Sequence, residues 1–358
     1  MTTASPSHSP VTSHSPVRAI VAHGAGDLRV DQHPLPQPGP GEVRVRIAFG
    51  GICGSDLHYA ATGRNGIYEI REPLTLGHEV VGTVDGYGPG ASGTYPPGTP
   101  VAIHPATPTP APGASRGSGL NLAVGGSYLG SASTTPHTHG GFTDALIVTE
   151  AQLRPLPTGL DLRRAVLTEP LAVAIHAVGL IEEQVGGSRV LVSGCGPIGA
   201  LAVAALRHAG AAHITACDLH RMPLDIATRV GANQTIQLGT DPAPESDSYD
   251  IVVEAAGVVP SLTTALNSVR RGGTIVQLGM LPPGELAVAL AAVVSKEVRL
   301  QGTQRFDSEF DEALAMLAVD PTIEEVISHE FDADDAAEAF RAAADSARSG
   351  KVIVRMNA

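Results

Sequence analysis

Hydrophobic and polar positions follow two different patterns along the chain. From Val17 to about Thr149 the apolar residues come in short alternating runs. Val43, Val45 and Ile47 interleave with Arg44, Arg46 and Ala48, the period-2 signature of a strand with one buried face. Residues 80–84 and 101–103 are further short strand candidates, and QPGPGE and YPPGTP break the chain around them. The pattern predicts an irregular, mostly β domain over residues 17–165. From about Arg163 it changes to strand–helix alternation. Residues 190–192 form a strand, followed by a glycine-rich turn and an Ala/Leu-rich helix to about His208. A strand at 213–217 precedes a helix at 222–230 that Gly231 closes. Strands at 251–253 and 274–276 flank a helix at 261–269, and a helix at 336–344 and a strand at 351–355 end the chain. Such alternation predicts an α/β unit with a doubly wound parallel sheet over residues 166–303.

Two segments fit neither pattern. Residues 1–16, MTTASPSHSPVTSHSP, have too little apolar surface to order and read as a disordered tail. With neither a basic start nor an apolar stretch, they do not read as a signal peptide. Residues 105–136 are dominated by Ala, Thr, Pro, Gly and Ser, and read as a long lobe inserted in the β domain. The longest clean apolar run, residues 286–294, is about half of a membrane span. It reads either as a subunit contact or as a buried helix of the α/β unit.

Charge narrows the partners. Asp and Glu number 36 against 23 Lys and Arg, for a formal charge of −13, and only Lys296 and Lys351 are lysines. Neither a phosphate-neutralising face nor a polybasic cluster is present, which argues against nucleic acid and membrane partners. Cys53, Cys195 and Cys217 are too few and too scattered for a disulfide framework or a four-cysteine zinc knot. An acidic, cytoplasmic protein acting on small molecules is expected.

Gly194, Gly196 and Gly199 supply G-x-G-x-x-G directly after a strand, with Pro197 and Ile198 opening a helix. The first glycine allows the tight turn, the second the approach of a pyrophosphate, and the third close helix–strand packing. Asp218 follows at the end of the next strand, where a carboxylate binds the ribose hydroxyls and disfavours a 2′-phosphate. This favours NAD; Arg221, three residues on, leaves NADP possible. The bland alternative is a helix-start turn with an incidental surface aspartate.

Three other segments carry zinc-ligand chemistry: GGICGSDLHY with Cys53, Ser55, His58 and Tyr59; LGHEV with His78 and Glu79; and TEPLAVAIH with Glu169 and His176. A catalytic zinc takes three protein ligands and keeps one position open. Singly, each has an ordinary explanation: Cys53 in a core, His78 in a turn, Glu169 at a helix start. Ser55 and Asp56 likewise make a good helix start, with Ser55 as cap.

Together, these motifs in this order resemble the zinc-containing medium-chain dehydrogenase/reductase superfamily from about residue 17 to the C-terminus. Within it, GGICGSDLHY, PHTHGGF, EPLAVAIHA and GTQRF with the following SEF resemble the polyol and sugar-acid branch, that of the sorbitol and L-idonate 5-dehydrogenases. The resemblance implies a GroES-like catalytic domain, a Rossmann domain, and residues 304–358 returning to the catalytic domain. It implies zinc on Cys53 and His78 with either Glu79 or Glu169 completing the inner shell and the other carboxylate behind it. It also implies a proton relay through Ser55 and His58, and a pocket containing Tyr59, Glu169 and Arg305.

The family's structural zinc needs four cysteines. The matching positions here are Thr109, Pro112, Ser115 and Ala123, so one zinc is expected and His104, His137 and His139 are read as hydrogen-bonded or solvated. Arg305 can clamp a carboxylate bidentately or pair with Glu169 or another nearby acid; Phe306 is read as packing. The implied reaction is oxidation of a secondary alcohol with hydride passing to NAD: L-idonate to 5-keto-D-gluconate, or alternatively a sorbitol- or xylitol-type polyol. A non-catalytic nucleotide-binding protein is the alternative of another class. The family is generally dimeric or tetrameric, so a homodimer or homotetramer is expected.

Overall fold

The computed structural model describes residues 16–107, 119–123 and 125–357. The expected tail, and lobe positions Thr109, Pro112 and Ser115, lie outside the described residues apart from Pro16.

The alternating segments form a seven-stranded sheet. Its backbone runs Leu153–Pro155, Pro100–Ile103, Glu79–Tyr87, Glu42–Gly51, Lys351–Arg355 and Ile327–Asp332, with Ala145–Thr149 also pairing Glu42–Gly51. Val43, Val45 and Ile47 are fully buried while their neighbours are half-buried, so the period-2 pattern marks the core face. Two strands come from the last 32 residues, so the C-terminus is built into the first half of the chain. Register brings chemistry together here: Gly51 pairs with Glu79, and Ile353 with Gly51 on its other side.

The strand–helix alternation forms a six-stranded parallel sheet. Its order is Gln234–Gln237, His213–Asp218, Arg189–Ser193, Tyr249–Glu254, Val269–Gln277 and Arg299–Gly302. The first strand in sequence lies mid-sheet and the chain winds outward in both directions, the doubly wound arrangement. Helices Pro197–His208, Arg221–Val230 and Val259–Ser268 form within two residues of the expected ranges. Ala- and Leu-rich segments pack closely here, with residues 200–206 all buried.

Residues 286–294 depart from the buried-helix reading. Only Ala291–Ser295 is helical, and Leu286, Leu290 and Val294 are exposed while Val288, Ala292 and Val293 pack on the sheet. The segment covers the core with one face, and nothing among the described residues packs over the other.

Candidate metal centre and nucleotide site

The strand Glu42–Gly51 leads into the helix Gly54–Thr62, whose N-cap is Cys53. Asp56, fully buried, accepts the Cys53 N–H at 2.9 Å and, through its other oxygen, the Gly77 N–H at 3.0 Å. One carboxylate thus fastens the Cys53 segment to the His78 segment. The expected Ser55 cap is corrected: the cap lies at Cys53, because Asp56 reaches back to that residue's backbone. Ser55 then sits half-buried in the first turn, with the exposed His58 three residues on along the same helix face.

Cys53, His78 and Glu79 each offer a ligand atom, and these atoms lie within 4.8 Å of one another. Burial opposes a charge on His78, but the Cys53 sulfur and Asp56 outweigh it and raise its pKa to about 10. A site this anionic draws a cation, and one sulfur, one nitrogen and one oxygen donor fit zinc with an open fourth position. Glu79 lies in a channel that Gly51 leaves open, since a Cβ there would stand 2.1 Å from its Oε2. Both its oxygens accept from the buried Lys351 ammonium, at 2.6 and 2.7 Å, and Lys351 also donates to the Ile52 carbonyl at 3.1 Å.

Glu169 enters from the helix Thr168–Gly179 and lies outside that triad. Its Oε1 accepts the Tyr128 hydroxyl at 2.6 Å. Burial, aided by Glu79, raises the Glu169 carboxyl above the usual glutamate range against the pull of His78 and Tyr128. Burial and the facing carboxylate also push the Tyr128 phenol well above its ordinary value, so it stays a donor. The Tyr128 ring centroid is 5.5 Å from that of His78, and the Arg305 guanidinium carbon stands 4.0 Å from the ring's centre. An ion pair of Arg305 with Glu169 or another acid is not formed among the described residues; the guanidinium lies on the Tyr128 face instead. Tyr59 is buried in the β-rich core, where its hydroxyl oxygen accepts the Ala132 N–H at 3.0 Å. Phe306 packs against His104 and Phe310.

Asp56, Tyr128 and Lys351 escape a motif reading. Asp56 stands inside CGSDLH and is legible there as a helix-turn carboxylate. Tyr128 and Lys351 carry no local signal, because the first lies in a segment without periodicity and the second in an ordinary closing strand.

The nucleotide elements are equally specific. Gly194 has φ +90, and a Cβ there would meet the Ala256 backbone nitrogen at 2.6 Å. A Cβ at Gly199 would lie 1.9 Å from the Gly194 carbonyl oxygen, whereas one at Gly196 would meet nothing within 4 Å. The turn is closed beneath and open above, at the N-terminus of Pro197–His208, as a pyrophosphate cradle must be. Asp218 ends its strand with one oxygen accepting from Cys195 N at 2.8 Å and the other from His220 N at 2.9 Å. Arg221 pairs with Asp225 at 2.8 Å on an exposed helix face. Burial pushes the Cys195 thiol well up and that of Cys217 up to about 11, so neither is a reactive thiolate.

The lobe histidines are bound to backbone. His137 contacts Arg71 N and Thr134 O, His139 contacts Thr75 N, and His104 contacts Ala106. Of the positions matching the structural-zinc cysteines, Ala123 is described and offers no ligand.

The chain belongs to the zinc-binding dehydrogenases. An alcohol dehydrogenase GroES-like domain matches residues 39–158, and a zinc-binding dehydrogenase domain matches residues 197–319. Within that class it is an enzyme of the polyol and sugar-acid dehydrogenase family. It is 34% identical over 332 residues to the sorbitol dehydrogenase of Gallus gallus, covering 90% of this chain and 92% of that protein. It is 36% identical over 316 residues to the L-idonate 5-dehydrogenase (NAD(P)(+)) of Escherichia coli K12, covering 86% and 90%. The crystal structure of L-idonate 5-dehydrogenase from Escherichia coli K-12 superposes with a TM-score of 0.88 over 96% of this chain and 99% of that one. That of 2R,3R-butanediol dehydrogenase from Bacillus subtilis gives 0.83 at 29% identity, over 95% and 100%. No described helix is long and apolar enough to cross a membrane.

Proposed function

We propose that the protein oxidises a secondary alcohol of a sugar acid with NAD, L-idonate to 5-keto-D-gluconate being the reading best supported. One observation carries the choice of an acid: Arg305 has no acidic partner among the described residues, yet stands 4.0 Å over the ring of Tyr128, which itself binds Glu169 beside the metal ligands. A guanidinium so placed is available to a substrate carboxylate.

Cys53, His78 and Glu79 would hold one zinc, with Glu169 facing it rather than binding it. When bound, zinc supplies Lewis acidity and the nicotinamide takes the hydride. Ser55, beside the ligand Cys53, would take the hydroxyl proton, and His58 would pass it to solvent. Gly194, Gly196, Pro197, Ile198 and Gly199 would cradle the pyrophosphate, and Asp218 the ribose. The Asp218 carboxylate at the end of its strand favours NAD over NADP, and Arg221, whose pair with Asp225 is solvent-exposed, leaves NADP possible. A neutral polyol is the second reading, favoured by the Glu169 carboxylate as a partner for hydroxyls and by the sorbitol dehydrogenase relatives. We take 17–165 and 304–358 as the catalytic domain and 166–303 as the nucleotide domain, with Glu169 reaching the metal ligands from the start of the latter.

Zinc analysis should give about one ion per chain; much less would leave a nucleotide-binding protein without the chemistry, and two would contradict the single-metal reading. Replacing Arg305 by Ala should raise the KM for L-idonate at least about tenfold and leave D-sorbitol nearly unaffected. Equal effects on both substrates would refute the carboxylate role.

A further inference from the structure

The segment that carries Arg305 is gripped by the lobe. The side-chain amide of Asn121 donates to the Gln304 carbonyl at 2.8 Å, and Leu120 N donates to Asp307 at 2.6 Å. Between these two anchors Arg305 has φ +49, a left-handed conformation that non-glycine residues hold only where the surroundings enforce it. Asn121 also meets His176 Nε2 at 3.1 Å, whose Nδ1 faces Glu309 at 2.8 Å, so the grip extends to the helix that carries Glu169. Tyr128, also of the lobe, reaches the chemistry. It stands on the short strand Ser127–Tyr128, paired with Ala106–Thr107, and is buried.

We propose that Tyr128 is the positioning residue that joins substrate recognition to the metal centre, its hydroxyl setting Glu169 and its ring face setting Arg305. A neutral phenol bonded to Glu169 Oε1 fixes that carboxylate without cancelling its charge. Oε2 has no hydrogen-bond partner among the described residues, which leaves it for a substrate hydroxyl. A guanidinium on an aromatic face is held by the ring quadrupole, which leaves its in-plane N–H donors free for a planar anion. One side chain therefore presents an acceptor for hydroxyls and a donor fork for a carboxylate, at a spacing fixed by the phenol ring. The ligand class this fits is a polyhydroxylated acid, so the inference rests on the sugar-acid reading and deepens it. It also gives the lobe a duty in recognition.

Two variants separate the two functions of the ring, using the full-length, zinc-loaded protein. Tyr128→Phe keeps the face and loses the hydroxyl. It should lower kcat about tenfold or more on either substrate, with less than about a threefold change in the KM for L-idonate. Tyr128→Leu loses both. It should in addition raise the KM for L-idonate, and weaken calorimetric binding of D-gluconate without NAD, by about fivefold or more beyond any effect on D-sorbitol. Zinc content equal to wild type confirms that both variants fold. A Tyr128→Phe enzyme with wild-type kcat overturns the Glu169 role, and a Tyr128→Leu enzyme that weakens acid and polyol equally overturns the Arg305 role. Failure of the wild type to turn over L-idonate refutes the sugar-acid reading instead, and the kcat comparison on D-sorbitol still decides the Glu169 role.

Discussion

At Lys351 a single side chain holds a second in place. Its ammonium is buried against both oxygens of Glu79, and the two groups come from strands 272 positions apart. Removing one member of such a pair leaves an uncompensated charge in a low-dielectric interior, which typically costs about 3–5 kcal/mol. Lys351→Met should therefore lower stability by about that amount in urea titrations with a chelator present. Saturating zinc should restore part of the loss, because a metal on Glu79 replaces the missing cation. The double variant Lys351→Met, Glu79→Gln should recover most of it in the chelated protein. Wild-type stability for Lys351→Met would mean that the Lys351–Glu79 pair contributes nothing to folding. The motif GHE can be read in the sequence, and so can the zinc chemistry of Cys53 and His78. Lys351 cannot, because only the pairing of Gly51 with both Glu79 and Ile353 brings the closing strand to the site.

Helix ends decide how the nucleotide unit is tied to the return segment. The helix Pro197–His208 finishes in Arg207 and His208, both of which bind Asp320, the cap of the turn Pro321–Val326. Burial alone would raise the Asp320 carboxyl, but hydrogen bonds from Thr322 and His208, with the Arg207 charge, outweigh it and hold its pKa below the ordinary 3.8. A carboxyl depressed in the folded state adds stability that is fully present above its unfolded pKa and is lost as pH falls through the folded one. Asp320→Asn should cost about 1–3 kcal/mol at neutral pH. That gap should close as pH falls below 3.8. A gap unchanged between neutral and strongly acidic solution would show that packing, and not the ionised carboxylate, carries the effect. Periodicity locates this helix and its neighbours well, because an amphipathic or fully buried face repeats in sequence as it does in space. It misleads at residues 286–294, where the apolar run is short and only some positions meet the core.

Across the whole molecule, the parallel sheet ends in the strand Arg299–Gly302, with one edge unpaired among the described residues. That strand and the segment leading to it expose Met280, Leu290, Val294 and Leu300, of which Val294 is 81% and Met280 79% exposed. An open edge flanked by apolar side chains is costly to leave in water. A second copy of the chain, pairing edge to edge, would cover it, in keeping with the expected homodimer or homotetramer. Light scattering should give a dimer or a multiple of it for the wild type. Val294→Glu with Leu300→Glu should shift the mass toward monomer without changing zinc content. A wild-type monomer, or a double variant with unchanged mass, would place any subunit contact elsewhere.

What the chain carries locally is enough to outline the two units, the glycine turn with Asp218, and the motifs that hold Cys53, His78 and both candidate glutamates, because each depends on residue type at short spacing. The lack of cysteines in the lobe is equally local, and it argues against a second metal site on residue type alone. Three matters needed the tertiary structure: the grouping of Glu79 rather than Glu169 with Cys53 and His78, the attachment of Arg305 to Tyr128, and the burial of Lys351. Each joins segments tens to hundreds of residues apart through strand register or a loop contact. No periodicity encodes such a meeting, and the energy that fixes it, pairing a buried charge or orienting a carboxylate, exists only once the segments have come together.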